Sequence, residues 1–306
     1  MFQYVVRRVL WMIPVLLFIS IITFAMAHAV PGGPFDREHA LPPEVIANLN
    51  KYYGLDQPVW KQYVKYMSDI VLRLDFGPTY RSRGRTVNDI FRDHLPISAQ
   101  LGFLALLIAL GIGVPLGIVS ALKQNSLWDY LGMAVAIFGV SVPGIVLGPL
   151  LILIFALGLK WFPVAGWGSP IQMLLPCIAL GMRESAVIAR LTRASMLQVI
   201  REDYIRTARA KGLTERVVMV KHALKNAFIP VATVLGPMFA VLVTGTFVIE
   251  QIFAIPGLGR FFITSITNRD YPVIMGTILL YSVFLVLANL AVDITYAFLD
   301  PRIRYS

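Results

Sequence analysis

Apolar positions in this chain fall in long unbroken runs, not in the short alternating or one-faced patterns of a water-soluble core. The first run extends from Val9 to Val30. As a helix it reaches roughly 33 Å, enough to cross the hydrocarbon core of a bilayer. Five more runs lie near Leu95–Leu122, Tyr130–Leu159, Ile171–Met196, Ala227–Phe253 and Val273–Leu299. They predict an all-α, polytopic membrane protein with six transmembrane helices. Ala27-His28-Ala29 would suit a leader-peptide cleavage site. The preceding apolar region is about twice the usual length for a leader, so an uncleaved first span is expected.

The segment 31–94 is polar and carries several helix signals, which predict a small external helical subdomain after the first helix. Pro42-Pro43-Glu44 opens a helix that Gly54 closes. Pro58 opens another, with Trp60, Tyr63, Val64, Met67 and Val71 at helical spacing. Thr86-Val87-Asn88-Asp89 resembles a capping box with Asp in place of Glu. The second span carries Gly111, Gly113, Pro115 and Gly117, and the third Pro143, Gly144, Gly148 and Pro149. Close packing through small residues is favoured over a gating hinge, with Pro143 kept as a gate candidate. The organisation expected is therefore 1–30 (N-terminus and first span), 31–94 (external subdomain), 95–299 (five-helix core with a cytoplasmic loop at 197–226) and 300–306 (tail).

Composition supports the membrane assignment. Of 306 residues, 57% are hydrophobic and 14% charged, against roughly 25% charged in soluble domains. The net charge is +10, and its placement speaks for a membrane topology and against nucleic acid. Six spans put Arg7, Arg8, Lys123, the basic cluster from Arg201 to Lys225, Arg302 and Arg304 on one face. The short loops of the other face hold Lys160, Arg260 and Arg269. By the positive-inside rule both termini are expected in the cytoplasm, and 31–94 outside. Cys177 is the single cysteine and the four histidines are scattered, so no metal site is expected. No Gly-x-x-x-x-Gly-Lys-[Ser/Thr] occurs, nor any hydrolase or zinc-protease motif. An enzyme is not expected, and an ATP-driven role requires a motor on another polypeptide.

The loop between spans four and five is the most distinctive segment. Asp203 is placed to cap a helix and Gly212 to end it, enclosing Tyr204, Ile205, Arg206, Thr207, Ala208, Arg209, Ala210 and Lys211. The small residues at 207, 208 and 210 would admit a close partner surface. A helix lying on lipid headgroups is the rival, and its apolar face is too small for strong membrane binding.

This segment resembles the cytoplasmic coupling motif of inner-membrane permeases of binding-protein-dependent ABC importers, in which a Glu-Ala-Ala triplet precedes a glycine. Here the triplet positions are Arg206-Thr207-Ala208 and the glycine is Gly212. Arg206 to Gly212, Lys221 to Ala227 with Pro230, Pro256-Gly257-Leu258-Gly259, Arg269-Asp270-Tyr271-Pro272 and Asp300 to Tyr305 are similar to the dipeptide/oligopeptide/nickel branch. Pro31 to Phe35 and Leu41 to Val45 resemble the oligopeptide permease type most. The resemblance implies a second homologous permease subunit, two ABC ATPase subunits carrying ATP and Mg, and an extracytoplasmic peptide-binding protein; the external segment, as the only sizeable structure on its side, is the expected dock, with a cap over the outer gate as the alternative. The resemblance also implies a peptide substrate, with nickel chelates or glutathione as alternatives, and a prokaryotic inner membrane. No cofactor is implied in this chain. Arg206 stands where the broader family has an acid, so the ATPase is expected to offer carboxylate or backbone acceptors there. A channel or secondary transporter is the rival class, against which stands the lack of a visible inverted repeat.

Ionisable residues within spans suggest function by default. Arg183 and Glu184, with Ser185, are pathway candidates, although structural pairing, including a bridge to the partner subunit, is favoured over substrate contact. Neighbours on a helix point about 100° apart, so Arg183 and Glu184 are expected to face different surroundings. Glu250 and Asp293 are read as polar packing or inter-subunit contacts, because similar permeases carry acids there.

Overall fold

The structure is a computed structural model that describes residues 2–35, 42–82, 84–244 and 246–299. The side chains of residues 2–5, 43, 292, 293 and 295–299 lie outside that description, so the readings of Asp293 and of the tail at 300–306 fall there. The described elements are helical, with one isolated bridge between Pro78 and Thr86.

Among the described residues, five helices are long and apolar enough to span a membrane: Val6–Ala29, Val87–Leu122, Pro170–Val199, Ile229–Ile252 and Tyr271–Ala291. A sixth span exists if the pair Leu127–Ser141 and Gly144–Gly158 counts as one. This pair occupies the third span expected over Tyr130–Leu159, and it bends by 107°. The cause is local. Val142 is extended (φ −95°, ψ 113°), and Pro143 (ψ 143°) starts the next helix instead of continuing the last. Proline lacks the amide that would continue the ladder and biases its predecessor away from helix.

The chain divides into two compact units. The smaller one comprises Val6–Ile97 and Gly257–Phe284. It contains most of α1 (Phe2–Ala29), then α2 (Pro43–Tyr53), α3 (Val59–Arg73) and the start of α4 (Val87–Leu122). The chain leaves this unit within α4 and returns to it with α13 (Gly259–Asn268) and the start of α14 (Tyr271–Leu299). Gly54 closes α2 with φ +69°, as its sequence context predicts. The capping box forms: Thr86 N donates to Asp89 Oδ2 (2.9 Å) and Asp89 N to Thr86 Oγ1 (3.2 Å). This cap sets the start of α4 at Val87, eight residues before the apolar run begins at Leu95. The helix therefore runs unbroken through position 94. Phe24, Met275 and Leu279 form a core that Tyr63, Tyr66, Met67 and Ile70 of α3 cover. The buried Asp270 carboxylate accepts from Thr79 Oγ1 and from Tyr80 N at 3.2 Å. It ties the turn after α13 to the hairpin before α4. Burial raises the Asp270 carboxyl above the usual range against the opposing pull of these hydrogen bonds.

The larger unit comprises Ser98–Pro256 and Leu285–Ser306, with Met1–Val5. Its elements are the rest of α4, then α5 (Leu127–Ser141), α6 (Gly144–Leu151) and the π-helical turns Ile152–Gly158. Next come α7 (Pro170–Val199), α8 (Asp203–Ala210), α9 (Glu215–Val217) and a second π-helical stretch, Val218–Ala223. α10 (Leu224–Ala227), α11 (Ile229–Thr244) and α12 (Phe247–Ile252) follow, and the end of α14 closes it. Small residues let α4 and α7 meet backbone to backbone. A Cβ on Gly113 would lie 2.5 Å from the Ser185 carbonyl oxygen, and one on Gly117 2.6 Å from that of Ala189. This is the packing use of glycine that the sequence suggests. Gly111 is an exception, with open space where a Cβ would stand.

Candidate functional site

The loop that follows α7 builds a compact module. Helix α8 spans Asp203–Ala210, and its N-cap is Glu202 (ψ 148°), not Asp203. Asp203 is instead the first helical residue, where a carboxylate still favours the helix dipole. Lys211 ends the helix and Gly212 (φ +76°) turns the chain away, a conformation that costs a β-carbon-bearing residue more. Ile205 and Ala208, three apart, are buried against Met196, Val218, Met219, Ala223 and Ala227. Ala208 thus faces the chain's own core, which corrects its expected place on the partner surface. The outward stripe is Asp203, Arg206, Thr207 and Ala210, all exposed and at i, i+3, i+4 and i+7 spacing.

Side-chain bonds fix this helix in place. Asn226 Nδ2 donates to Tyr204 Oη at 2.7 Å, linking α8 to α10. Arg209 forks onto Glu215 at 3.2 and 2.7 Å, which strengthens the acidity of the Glu215 carboxyl. Arg206 Nη1 lies 3.4 Å from Asp203 Oδ1, with both side chains largely solvent-exposed (73% and 96%). A pair this exposed contributes little to stability, so Arg206 is free to reorient.

A second feature lies at the break between α5 and α6. A cavity of about 340 Å³ is bordered there by Pro143, Gly144, Arg183, Glu184, Leu242 and Ile249, among others. The structure thus brings three of the expected residues together. Arg183 and Glu184 both border this space, although they are neighbours on α7; the cavity wraps far enough around the helix to meet both. Ser185 does not border it. Its side chain is buried and its hydroxyl donates to the Met182 carbonyl at 2.7 Å. Glu250 is 1% exposed, with Ser98 Oγ donating at 2.5 Å and Thr246 Oγ1 at 2.6 Å. Its described contacts are internal, as polar packing requires.

The chain is matched by the model for the binding-protein-dependent transport system inner membrane component over residues 113–305. It belongs to that family. The matching N-terminal component of such systems covers residues 1–101. Among curated relatives, the dipeptide transport system permease protein DppB of Bacillus subtilis is 47% identical over 99% of this chain and 98% of its own length. The oligopeptide transport system permease protein OppB of Salmonella typhimurium is 44% identical over the whole of both chains. Among solved structures, the inward-facing MetNI methionine ABC transporter aligns with a TM-score of 0.57 at 17% identity. That alignment covers 69% of this chain and 96% of the other, and indicates a shared fold.

Sequence reasoning missed one pair in this inner membrane component. Arg193 of α7 grips Asp129 at the start of α5 with two bonds, Nε to Oδ1 and Nη2 to Oδ2, each 2.7 Å. Asn125 N adds a third donor to Oδ2 at 3.0 Å. The clamp joins two helices that pack along their length, with Ala136 of α5 against Ala186 and Ala189 of α7. The available signal was two opposite charges placed at the ends of apolar runs.

Proposed function

We propose that this chain is the permease subunit of an ABC importer for oligopeptides or dipeptides. The observation that carries the reading is end-to-end likeness to relatives named as dipeptide and oligopeptide permeases; the surface helix α8, with its exposed stripe, supports it. An extracytoplasmic binding protein delivers the peptide, docking on the segment 31–94. A second, homologous permease subunit completes the pathway. Two ATPase subunits bind ATP and Mg and engage the stripe of Asp203, Arg206, Thr207 and Ala210, Arg206 meeting carboxylates or carbonyl oxygens. The chain sits in a prokaryotic inner membrane with both termini cytoplasmic.

In this mechanism no covalent chemistry falls to the chain. ATP binding and hydrolysis move the partner surface, and α8 follows because Ile205 and Ala208 seat it against the end of α7. Arg183 and Glu184 lie on the same α7, beside the break at Pro143. They offer a cation and an anion to the ends of a passing peptide. Alternating access then needs only that nucleotide favour one orientation of the pathway.

The test is affinity purification from native membranes in mild detergent, followed by reconstitution with the binding protein. Co-purification of a second permease and P-loop ATPases, with ATP-dependent uptake of a labelled peptide, is the expected result. A chain that purifies alone and transports without ATP overturns the proposal in favour of a channel or secondary transporter. ATP-dependent uptake of a nickel chelate or glutathione, but of no peptide, overturns the substrate and leaves the assembly standing.

A further inference from the structure

The smaller unit contains a cavity of about 430 Å³ that the importer reading does not use. Its size falls within the range of small-molecule sites. Tyr53, Tyr66, Tyr80 and Tyr271 are among the residues that line it. Tyr53, Tyr80 and Tyr271 belong to one aromatic cluster, with Tyr53 and Tyr80 ring centres 4.7 Å apart and Tyr80 and Tyr271 6.2 Å apart, and Tyr66 Oη donates to the Pro272 carbonyl at 3.3 Å. Burial pushes the hydroxyls of Tyr66 and Tyr80 well above the usual phenol range, so these walls stay neutral. Neutral phenol faces attract an organic cation through the ring quadrupole.

Charge is arranged around this wall in both signs. Lys65 and Asp69 border the cavity from successive turns of α3, and Asp75 borders it from the hairpin that follows. Asp75 Oδ1 accepts from Gly77 N at 2.9 Å, leaving Oδ2 without a protein donor among the described residues. Lys65 and Asp69, although one helical turn apart, do not close on each other. The frame is held from outside the charges. His28 Nδ1 lies 2.9 Å from the Phe24 carbonyl oxygen and His28 Nε2 lies 3.3 Å from Gln62 Oε1. Gln62 Nε2 in turn donates to the carbonyls of Leu55 (3.2 Å) and Gln57 (2.8 Å).

We propose that this cavity binds a small zwitterion, its ammonium against the tyrosine faces, Asp69 and Asp75, and its anionic group at Lys65. Two sources share that chemistry: a short peptide or amino acid, and the headgroup of an ethanolamine phospholipid. The proposal stands apart from the importer reading, since it concerns occupancy of the smaller unit and not transport.

The experiment uses the assembled complex in nanodiscs, without binding protein or nucleotide. The probe is radiolabelled glycyl-phenylalanine, compared with its N-acetylated form, in discs made with and without phosphatidylethanolamine; lipid retention is read by native mass spectrometry. Saturable binding of the free dipeptide is expected, with loss of affinity of about tenfold or more on acetylation and in the Asp69→Asn/Asp75→Asn double variant. Retention of phosphatidylethanolamine that falls in the same double variant, with no dipeptide binding, assigns the site to the headgroup and supports the shared chemistry. Tyr53→Leu, which keeps the charges, should weaken whichever ligand binds and guards against misfolding of the double variant. Unselective retention, or retention equal in wild type and in all variants, overturns the proposal. ATP-dependent uptake by the same purified complex, reconstituted in parallel into sealed vesicles with binding protein, reports on the importer reading separately.

Discussion

Replacing Arg193 with Met should destabilise the larger unit more than any other single loss of a charge on α7. The Asp129 side chain is only 4% exposed and Arg193 26%, and two of their bonds are 2.7 Å long. Removing the cation leaves a buried carboxylate with a single backbone donor from Asn125. Breaking a buried pair in this way costs about 3–5 kcal/mol, and the partial exposure of Arg193 argues for the lower end. For a unit of this size that corresponds to a fall of roughly 10 °C in melting temperature. The assay is heating of the tagged complex followed by fluorescence-detected size exclusion. The double variant Asp129→Leu/Arg193→Met should recover much of the loss, because no charge then remains buried without its partner. Arg193→Met melting within about 2 °C of wild type, a shift worth no more than about 1 kcal/mol, would refute the reasoning, as would additive single and double effects.

Four further outcomes follow from the packing and the charges. Gly113→Ala should prevent stable assembly, because its Cβ would stand 2.5 Å from the Ser185 oxygen, whereas Gly111→Ala should be tolerated; equal yields of the two variants would remove the close-packing argument. Ile205→Ala, in a fully buried position, should cost about 3 kcal/mol, while Arg206→Ala should leave the melting temperature in place and lower peptide-stimulated ATPase several-fold; the reverse pattern would place the coupling contact elsewhere. Asp270 has a raised carboxyl pKa when folded, so its share of stability is full below the ordinary aspartate pKa and is lost as pH rises through the raised one. Melting between pH 4 and 8 should therefore flatten in Asp270→Asn, and an unchanged slope would dismiss this linkage. Arg190→Pro should kink α7 at an exposed position, with a cost of about 3 kcal/mol or more, and leave ATP hydrolysis running without uptake; retained uptake would count against transmission along α7.

What was legible in the chain depended on how local the interaction is. The Thr86–Asp89 box, the proline starts of α2 and α3 and the glycine end of α2 each involve residues within a few positions, and each forms. The apolar run starts later than α4 because apolarity marks where lipid begins, whereas capping marks where a helix begins; here they differ by eight residues. Pro143 was visible, but a proline in an apolar run is compatible with a kink or a full break, and only the extended Val142 decides for the break. The Asp129–Arg193 clamp joins positions 64 apart, and nothing local marks their meeting. The inward turn of Ala208 was hidden for a related reason. Small residues suit a close approach from either side, and the side is chosen by Met196 and Val218, which belong to other elements.

These long-range contacts also bear on how motion would pass through the larger unit. Helix α7 runs without a break from Pro170 to Val199, carrying Arg183 and Glu184 midway and Met196 near its end. Met196 lies in the cluster that buries Ile205 and Ala208, so α8 cannot shift outward without opening a cavity in that cluster. An opening of this kind costs several kcal/mol, on the order of a buried leucine truncated to alanine. Moving α8 and the end of α7 together avoids that cost. The Asp129–Arg193 clamp, one turn before Met196, then commits α5 to the same movement. At its far end α5 stops at Ser141, beside the break and the cavity that Arg183 and Glu184 border. The weak point is therefore the break, where Val142 and Pro143 leave the backbone without a continuous ladder, and a rigid input at α8 would be released as a change of angle there.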